Sequence, residues 1–585
     1  MQKYSEFLRT LLEKRGISDG KTAEIFLNPD YERDFHDPFL MRDMKKACAR
    51  IFKAISANEK IVIYADYDCD GIPGAVILND FFSAIGGSAS GGKQINYEIY
   101  IPQRNSEGYG LNLDAIGQFI DAGVKLLITV DLGITAVAEI ELAKKSGIDV
   151  IITDHHISQE ILPDACAILN PKIDDPAKDG VNYPEKMLCG AGVVFKLVQG
   201  LIRYAKDESI DIKPGSEKWM LDMAGLATLS DMVPLTGENR AIAYFGMKVL
   251  KKSPRPGLQK LLAKMNIDQR YLSEDDLGFM VIPRLNAASR MDNPMRAYEI
   301  LSTADAAVAG TLANHLSKIN DERKTIVTGI MREANRRLEK NLTSPSGDNR
   351  EVIVIGNPEW RVGVLGLVAG KISDEHKKPV FVWGKDENDC IKGSCRSDGS
   401  VSIMELMNET KESFIEYGGH ELAGGFTVQA EKIHFLEEAL SNSFQKITTE
   451  KSTPSASGTS PYVGGGQVGV NFDLKLSLGE VNMKNWKEIE KLAPFGLGNP
   501  KPVFLFESVK IEKIKKFGKN GSGEHLEIAF SDQNKNKAIA ISFFSNIDSF
   551  KNTLSEGLNV NLLATFDLSR FRGREELRLR IVDIF

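Results

Sequence analysis

The sequence has few cysteines for its length, and none of them forms a CxxC pair. Six cysteines are scattered over the 585 residues: Cys48, Cys69, Cys166, Cys189, Cys390 and Cys395. Disulfide frameworks and zinc knuckles both require cysteines at short, paired spacings. The closest two, Cys390 and Cys395, have no second pair to complete a tetrahedral site. We therefore expect neither a disulfide framework nor a structural zinc ion.

Long hydrophobic runs are also missing. No apolar stretch approaches the roughly 20 residues that a membrane-spanning helix needs. The first fifteen residues mix charged side chains with Leu and Phe at helical spacing, which is unlike a signal peptide. We therefore expect a cytoplasmic protein with no membrane contact. A chain of 585 residues is too long for a single core, and at roughly 100–200 residues per domain it predicts three or four domains.

The third feature that is missing is an overall excess of positive charge. The formal net charge is −7, which argues against a globally basic coat for nucleic acid. The charge is uneven, however, because the segment from Lys501 to Phe585 contains nine Lys and five Arg against eleven Asp and Glu. A basic groove near the C-terminal end remains compatible with this distribution.

The first part of the chain has the pattern of a parallel α/β domain. We predict short helices in residues 1–45 and an α/β domain in residues 46–292. Three continuous apolar runs are typical of strands buried on both faces. These predicted strands are Ile61–Ala65, Leu126–Val130 and Val150–Thr153.

The rest of the chain predicts three further elements and one linker. Residues 293–342 have the periodicity of a long connecting helix, and residues 348–446 that of a second α/β domain. A stretch rich in Ser, Thr, Pro and Gly at 447–466 indicates a linker. Short alternating strands in residues 467–585 favour a small β-barrel of the OB-fold type. The predicted architecture is therefore α/β and multidomain.

Acidic residues follow all three predicted strands of the first domain. These residues are Asp66, Asp68 and Asp70 after the first strand, Asp131 after the second, and Asp154 with His155 and His156 after the third. The carboxyl ends of parallel strands open onto a shared crevice, so these side chains should converge. One aspartate after a strand is usually a helix cap or a turn residue, but capping does not explain the whole set. Crowded carboxylates with one imidazole favour Mn²⁺ or Mg²⁺ over Zn²⁺, and a two-metal site is the simplest interpretation.

Four motifs resemble those of the DHH phosphoesterase family, in the same order along the chain. They are Ile63–Gly71 (IYADYDCDG), Thr129–Ile134 (TVDLGI), Asp154–His156 (DHH) and Leu229–Leu235 (LSDMVPL). The triplet DHH alone is a weak signal, whereas four motifs in order are a strong one. The resemblance implies that two divalent ions, Mn²⁺ or alternatively Mg²⁺, are held by Asp66, Asp68, Asp70, Asp131, His155 and Asp231. It also implies catalytic roles for Asp131 as the metal bridge, His156 facing the scissile phosphate, and Asp68. Asp154 is expected to orient a neighbour rather than to bind metal.

Further segments resemble the RecJ branch of that family. They are Ile101–Gly110 (IPQRNSEGYG), Pro283–Arg290 (PRLNAASR), Trp360–Val364, Gly393–Ser397, Gly418–Phe426 and Leu492–Pro502. By this resemblance, residues 46–292 are the DHH catalytic domain and residues 348–446 the DHH-associated domain. Residues 467–585 are then an OB-fold that binds nucleic acid. Ile282 and Ser289 stand where the second of these signatures usually has glycine, which suggests altered loop geometry there.

The RecJ resemblance implies a 5′→3′ exonuclease specific for single-stranded DNA. Such an enzyme releases 5′ mononucleotides by two-metal hydrolysis and serves DNA repair and recombination. Arg104, Ser394 and Arg396 would receive the terminal 5′ phosphate, while Arg284 and His420 would hold the neighbouring backbone. The candidate DNA-binding residues of the OB-fold are Lys513, Lys515, Lys516, Phe571, Arg572 and Arg574.

The resemblance also suggests partners and two alternatives. We expect a monomer that binds single-stranded DNA, with a RecQ-type helicase and a single-strand-binding protein as partners. One alternative is a DHH oligoribonuclease or cyclic-dinucleotide phosphodiesterase, with a pyrophosphatase more remote; the additional domain from about Asp473 onward disfavours it. The other is a catalytically inactive DHH replication scaffold, which predicts eroded carboxylates, and none is eroded here.

Overall fold

The structure is a computed structural model of the chain. It describes residues 1–85, 94–104, 106–174, 182–207, 212–213, 215–342, 350–386, 388–452, 472–518, 525–543, 545, 547, 550, 553–570 and 575–585. These residues belong to two compact units. One unit contains Met1–Asp37, Met232–Met247 and Tyr462–Phe585, and the other contains Pro38–Asp231 and Lys248–Pro461.

The helices are numbered in chain order. They are α1 (Glu6–Glu13), α2 (Gly20–Leu27), α3 (Tyr31–Asp34), α4 (Met44–Ser56), α5 (Gly71–Ile85), α6 (Leu113–Asp121), α7 (Val137–Lys145), α8 (Gly190–Asp207), α9 (Leu221–Ser230), α10 (Gly237–Leu250), α11 (Pro256–Lys264), α12 (Glu274–Asp276), α13 (Ile282–Met291), α14 (Met295–Ser302), α15 (Ala306–Leu342), α16 (Leu365–His376), α17 (Ile403–Glu409), α18 (Leu436–Ser452) and α19 (Met483–Glu490). Within the described residues, no helix is both long enough and apolar enough to cross a membrane.

The strands are numbered in the same way. They are β1 (Ile61–Ala65), β2 (Tyr97–Tyr100), β3 (Leu126–Val130), β4 (Asp149–Thr153), β5 (Ala167–Leu169), β6 (Ile353–Gly356), β7 (Val380–Lys385), β8 (Ile391–Arg396), β9 (Phe414–Gly419), β10 (Ala423–Val428), β11 (Leu474–Lys475), β12 (Phe504–Phe517), β13 (His525–Ser531), β14 (Lys537–Phe543), β15 (Asn559–Ser569) and β16 (Glu576–Ile584).

The first sheet is parallel throughout, with strand order β2-β1-β3-β4-β5. Its three central strands are the ones that the apolar runs predicted, and this parallel α/β fold is confirmed. The two outer strands, β2 and β5, were not predicted. They are only four and three residues long, too short for a distinct apolar run.

The second sheet has the order β6-β7-β8-β10-β9. Strands β6 and β7 are parallel, whereas the remaining neighbours are antiparallel. Helix α16 packs on β7 and β8. The second α/β domain is therefore a mixed sheet.

The third sheet contains β11 to β16 and belongs to the other unit. Its strand order is β11-β12-β13-β14-β16-β15, and β12 also pairs with β15. The N-terminal helices contribute to the same hydrophobic core, because Leu8, Leu11 and Leu12 are fully buried together with Phe504 and Phe530 of the sheet. Residues 1–37 are thus part of the C-terminal unit rather than a separate helical segment.

The prediction of one connecting helix over residues 293–342 is wrong in one respect, because the segment forms two helices, α14 and α15. Thr303 leaves the helical conformation with ψ 137°. The Asp305 carboxylate then accepts hydrogen bonds from the N–H groups of Ala307 and Val308, at 2.7 and 3.1 Å, and begins the second helix. The helix break therefore results from a local capping interaction.

Two smaller expectations also differ from the structure. The segment around Ile282 and Ser289 is helix α13 rather than a loop, so those positions do not require glycine. Helix α18 continues to Ser452, into the first residues of the predicted linker. The remainder of that linker, 453–466, lies outside the described residues.

Candidate metal centre and phosphate pocket

Three neighbouring strands each place an aspartate at one edge of the first sheet. The N–H of Asp66, directly after β1, donates to the carbonyl of Val130 on β3 at 3.1 Å. The N–H of Asp131, directly after β3, likewise donates to a carbonyl of β4 at 2.9 Å. The N–H of Asp154, directly after β4, donates to a carbonyl of β5 at 3.0 Å. Each aspartate therefore continues the sheet pairing one residue beyond its own strand. The pairing brings the three carboxylates to the same edge.

Asp131 has an unusual backbone conformation. Its φ is +63°, in the left-handed region that non-glycine residues rarely adopt. Such conformations persist where surrounding structure enforces them, and they concentrate at functional sites. Gly190, the first residue of α8, makes room for this side chain, because an added Cβ there would lie 2.6 Å from Asp131 Oδ1.

All six predicted metal ligands lie in one cluster. Three overlapping groups have candidate ligand atoms within 4.8 Å of one another: Asp66, Asp68 and Asp131; Asp70, His155 and Asp231; and Asp131, His155 and His156. Asp131 and His155 each belong to two of the groups, and the bridging role of Asp131 remains a prediction. His155 Nε2 lies 3.1 Å from Asp131 Oδ1 and 3.8 Å from Asp70 Oδ2.

The carboxylates of this cluster repel one another. Burial and then the neighbouring aspartates raise the pKa of Asp131 and Asp66 well above the usual range. The same two causes raise the pKa of Asp231 to about 9 and that of Asp70 to about 6. Among the described residues, no donor forms a hydrogen bond to the buried Oδ1 atoms of Asp66 and Asp131. A divalent cation would satisfy these oxygens and remove the repulsion.

Other candidate ligands have a protonation state or hydrogen bonds that suit metal binding. Burial and the neighbouring His156 lower the pKa of His155 to about 3, so that it is a neutral imidazole, the form that binds metal. Asp70 accepts hydrogen bonds from the N–H groups of Gly190 and Ala191, at 2.6 and 2.7 Å. Asp68 caps α5 by accepting from Asp70 N–H at 2.7 Å, so the simple capping role also applies to it.

His156 is oriented by Asp154. His156 Nδ1 lies 2.7 Å from Asp154 Oδ1, and Asp154 also accepts from the N–H groups of Ile134, His155 and His156. Although burial opposes it, the hydrogen bond and charge of Asp154 raise the pKa of His156. The ring of His156 stacks on that of His420, with centroids 5.5 Å apart and 11° between planes. The side chain of Asp154 therefore orients His156, whereas the sequence predicted that it supports the metal-binding histidine, His155.

A group of arginines adjoins the metal centre. Arg104 lies over the ring of Tyr67 at 5.1 Å, and its charge partly offsets the rise that burial and Asp68 cause in the pKa of Asp66. Burial first, and then the charges of Arg104, Arg323 and Arg396, lower the pKa of Arg290 to about 9. Arg290 Nη1 donates to the carbonyl of Gly363 at 3.2 Å and Arg396 Nη1 to that of Cys395 at 2.7 Å, and in the described part of the chain neither these two arginines nor Arg104 forms an ion pair with a carboxylate. Uncompensated guanidinium groups of this kind favour a bound anion.

The predicted phosphate ligands are partly brought together. An added Cβ at Gly366 of α16 would lie 3.0 Å from Arg396 Nη2 and 3.6 Å from Ser394 Oγ, so these two side chains face the same helix side by side. Arg284 instead faces α15, where its charge neighbours are Asp321 and Arg323.

Comparisons with known proteins agree with this geometry. Residues 60–228 match the model of the DHH family, N-terminal domain, residues 349–446 match the DHHA1 domain, and residues 472–583 match the RecJ OB domain. The single-stranded-DNA-specific exonuclease RecJ of Bacillus subtilis is 33% identical over 98% of this chain and 67% of the relative. The protein of the same name from Salmonella typhimurium is 30% identical over 92% of this chain and 89% of the relative.

This chain belongs to the RecJ family. The crystal structure of RecJ from Thermus thermophilus in complex with Mn²⁺ has the same fold, with a TM-score of 0.75, 24% identity, and coverage of 100% of this chain and 76% of that one. A crystal structure of exonuclease RecJ bound to manganese covers 69% of this chain and 95% of that chain, with 28% identity and a TM-score of 0.57. The family resemblance and the multidomain α/β fold are therefore confirmed, whereas the roles of individual residues remain predictions.

Several RecJ site residues were missed by sequence reasoning. Gly190 and Ala191 support Asp131 and Asp70, and the run Gly190-Ala191-Gly192 at the start of a helix could have indicated a place of close backbone approach. Arg323 on α15 had no motif to distinguish it from other surface charges. Only the tertiary structure brings its charge close to those of Arg290 and Arg284.

Gly190→Ala should weaken Mn²⁺ binding by about 10-fold or more, a loss typical of disturbed support for metal ligands. The new Cβ would overlap Asp131 Oδ1, so the carboxylate would have to move. Isothermal titration of the metal-free protein with Mn²⁺ measures the change. Gly192→Ala is the matched control, because its Cβ would meet nothing closer than Cys189 Sγ at 3.5 Å. Equal affinity of the two variants would show that Gly190 does not position Asp131.

Metal-free protein should lose stability as pH rises from about 4 to about 9. The folded-state pKa of Asp231 is about 9, above the roughly 3.9 of an unfolded chain, so the folded state binds more protons over that range. Asp231→Asn should therefore raise the metal-free Tm at pH 8 by more than at pH 5. With Mn²⁺ present, Asp231→Asn should instead have a lower Tm than the unchanged protein. Asp121→Asn removes an exposed carboxylate and serves as the control. A Tm gain at pH 5 that matches the gain at pH 8 would contradict the repulsion argument.

Proposed function

We propose that this protein is a 5′→3′ exonuclease specific for single-stranded DNA. It hydrolyses phosphodiester bonds with two divalent ions, Mn²⁺ or Mg²⁺, and releases 5′ mononucleotides during DNA repair and recombination. The observation that carries the proposal is the adjacency of two sites of opposite charge. A carboxylate cluster that favours cations adjoins a group of arginines that favours an anion, and the charge of Arg104 interacts with Asp66 in the first and with Arg290 in the second. A terminal phosphate and the next phosphodiester would occupy these two sites together.

The residues of the metal centre have distinct roles. Asp66, Asp68, Asp70, Asp131, His155 and Asp231 would hold two ions, with Asp131 shared between them. When bound, such ions neutralise the charge that develops on the phosphoryl oxygens and lower the pKa of a water molecule. His156 Nδ1 contacts Asp154, and in the imidazolium form, which its raised pKa favours, Nε2–H would donate a hydrogen bond to the scissile phosphate. Tyr109 OH lies 3.5 Å from that nitrogen, so the same position is accessible to polar groups.

The polarity of digestion depends on the terminal-phosphate pocket. Arg104, Ser394 and Arg396 would receive the 5′ phosphate, because guanidinium groups bind phosphate through paired, charge-assisted hydrogen bonds. His420, whose ring stacks on that of His156, would contact the following backbone, whereas Arg284, which faces α15, has less support for this role. A strand must then enter by its 5′ end, and circular DNA cannot be a substrate.

The OB domain offers a second surface for a single strand. Phe517, His525 and Phe543 form an aromatic cluster with ring centroids 5.2 to 6.5 Å apart. Arg578 and Arg580 lie over Phe543 at 6.0 and 5.6 Å. Aromatic rings beside arginines are typical of surfaces on which nucleobases stack. Phe571, Arg572 and Arg574 lie outside the described residues, and Lys515 forms an ion pair with Glu527 at 3.4 Å.

The rival functions have less support. An oligoribonuclease or cyclic-dinucleotide phosphodiesterase needs only the two α/β domains, whereas this chain also contains a RecJ OB domain. An inactive scaffold would not retain all six candidate ligands in one cluster. The RecQ-type helicase, the single-strand-binding protein and the monomeric state remain predictions of the family resemblance.

Purified protein with Mn²⁺ should degrade linear single-stranded DNA from the 5′ end and leave circular single strands intact. Arg396→Ala should reduce the preference for a 5′-phosphorylated strand over one ending in hydroxyl, because charge-assisted contacts are about twice as strong as neutral ones. Product lengths from strands labelled at either end measure both effects. DNA and RNA oligonucleotides of one sequence test substrate choice.

Two controls make this assay decisive. Asp131→Ala should reduce the rate by more than about tenfold, which corresponds to about 1.4 kcal/mol in the barrier. Arg270→Ala removes an exposed arginine that pairs with Asp268 and should leave the end preference unchanged. Degradation of the circle, or release from the 3′ end first, would refute the proposed polarity. If Arg396→Ala lost the same share of activity on strands ending in 5′ phosphate and in hydroxyl, Arg396 would have only a structural role.

Phe543→Ala should weaken binding of a thirty-nucleotide strand more than it slows cleavage of a five-nucleotide strand. Loss of one stacked base costs about 1–3 kcal/mol, or roughly 5- to 150-fold in affinity. Fluorescence anisotropy of labelled strands measures binding, and the effect should decrease at high salt. Phe435→Ala is the control, because that side chain is exposed on the DHHA1 domain. Equal effects on both strand lengths would show that Phe543 supports folding instead.

A further inference from the structure

The loop after β5 contacts the backbone of both histidines in the DHH motif. Asn170 is fully buried, and its Nδ2 donates to the carbonyl of His156 at 2.9 Å. Its Oδ1 accepts from the N–H of Lys172 at 2.9 Å. The Lys172 ammonium donates in turn to the carbonyl of His155. One turn, Asn170-Pro171-Lys172, therefore holds the two adjacent carbonyls of the motif.

Lys172 is also a positive charge close to the carboxylate cluster. Its side chain is half-buried, and burial lowers its pKa while Asp231 and Asp154 raise it. The ammonium does not form an ion pair with Asp231 at contact distance among the described residues. Its direct partner is the neutral carbonyl of His155. The contact therefore acts on the backbone that carries the ligand.

We propose that Lys172 and Asn170 are positioning residues of the metal centre. Lys172 fixes the backbone of His155 so that Nε2 faces Asp131 and Asp70, at 3.1 and 3.8 Å. Asn170 fixes the backbone of His156 so that its ring stays parallel to that of His420. The inference rests on the proposed function only in treating His155 as a metal ligand.

A positioning role and a purely electrostatic role predict opposite results. If Lys172 acted only as a nearby cation, its removal would relieve repulsion and strengthen the binding of a divalent ion. If Lys172 positions His155, its removal releases the ligand and weakens binding. The sign of the change therefore separates the two roles.

Lys172→Met in the full-length chain should weaken Mn²⁺ binding by about 10- to 100-fold, the usual loss when support behind a ligand is removed. Lys172→Arg should recover part of the affinity, because it can still donate to the carbonyl. Lys378→Met is the matched control: Lys378 Nζ also donates to a backbone carbonyl, that of Arg350, at 2.5 Å. Titration calorimetry with Mn²⁺ alone gives the affinities. Unchanged or tighter binding in Lys172→Met would overturn the proposal.

A second measurement does not depend on metal or on nuclease activity. The chain has eight histidines, and their ring ¹⁵N signals in metal-free protein can be assigned with His155→Gln and His156→Gln. Lys172→Met should shift the His155 signals and Asn170→Ala those of His156, whereas Lys378→Met should shift neither. Unmoved signals in both variants would overturn the proposal even if metal titration failed. Weaker Mn²⁺ binding in a protein that digests no DNA would refute the proposed function and leave this inference standing.

Discussion

The structure depends on carboxylates that are held together at the edge of a parallel sheet. Asp66, Asp131 and Asp154 each continue a strand by one residue, so the sheet pairing itself sets their spacing. Asp70, directly before α5, and Asp231, directly after α9, add to the same cluster. Burial and mutual repulsion raise the pKa of four of these carboxyls, those of Asp66, Asp70, Asp131 and Asp231, and a divalent cation would remove the repulsion. The affinity for a cation is therefore a consequence of the fold.

The surrounding residues reduce the cost of this arrangement in different ways. Asp70 accepts hydrogen bonds from backbone N–H groups at the start of α8. Asp154 accepts hydrogen bonds from the backbone of the DHH segment. Gly190 removes a side chain where Asp131 needs space. The carbonyls of His155 and His156 are held from behind by the turn after β5. These contacts hold the candidate metal ligands in place, which is the arrangement expected of a preorganised site.

The unit that contains the OB domain depends on residues from both ends of the chain. Its core is completed by the N-terminal helices, since Leu8, Leu11 and Leu12 are buried with the strands of the OB domain. Arg15 donates from its Nε to Asn499 Oδ1 at 2.9 Å and joins the two ends of the chain within this unit. The first residues of the chain thus support the domain that is encoded last. Truncation at either end would expose the same hydrophobic core.

The sequence alone determined the strands β1, β3 and β4, the aspartates that follow them, and the family. These features are local, because an apolar run and the residues after it are adjacent in the chain. Only the tertiary structure decided which other groups contact these residues and the DHH segment. One example is the Lys172 ammonium, which donates to the carbonyl of His155. The joining of residues 1–37 to the core of the OB domain also required the tertiary structure. The reason is physical: backbone contacts and shared cores join residues that are far apart in the chain, and such contacts leave no periodic pattern in the sequence.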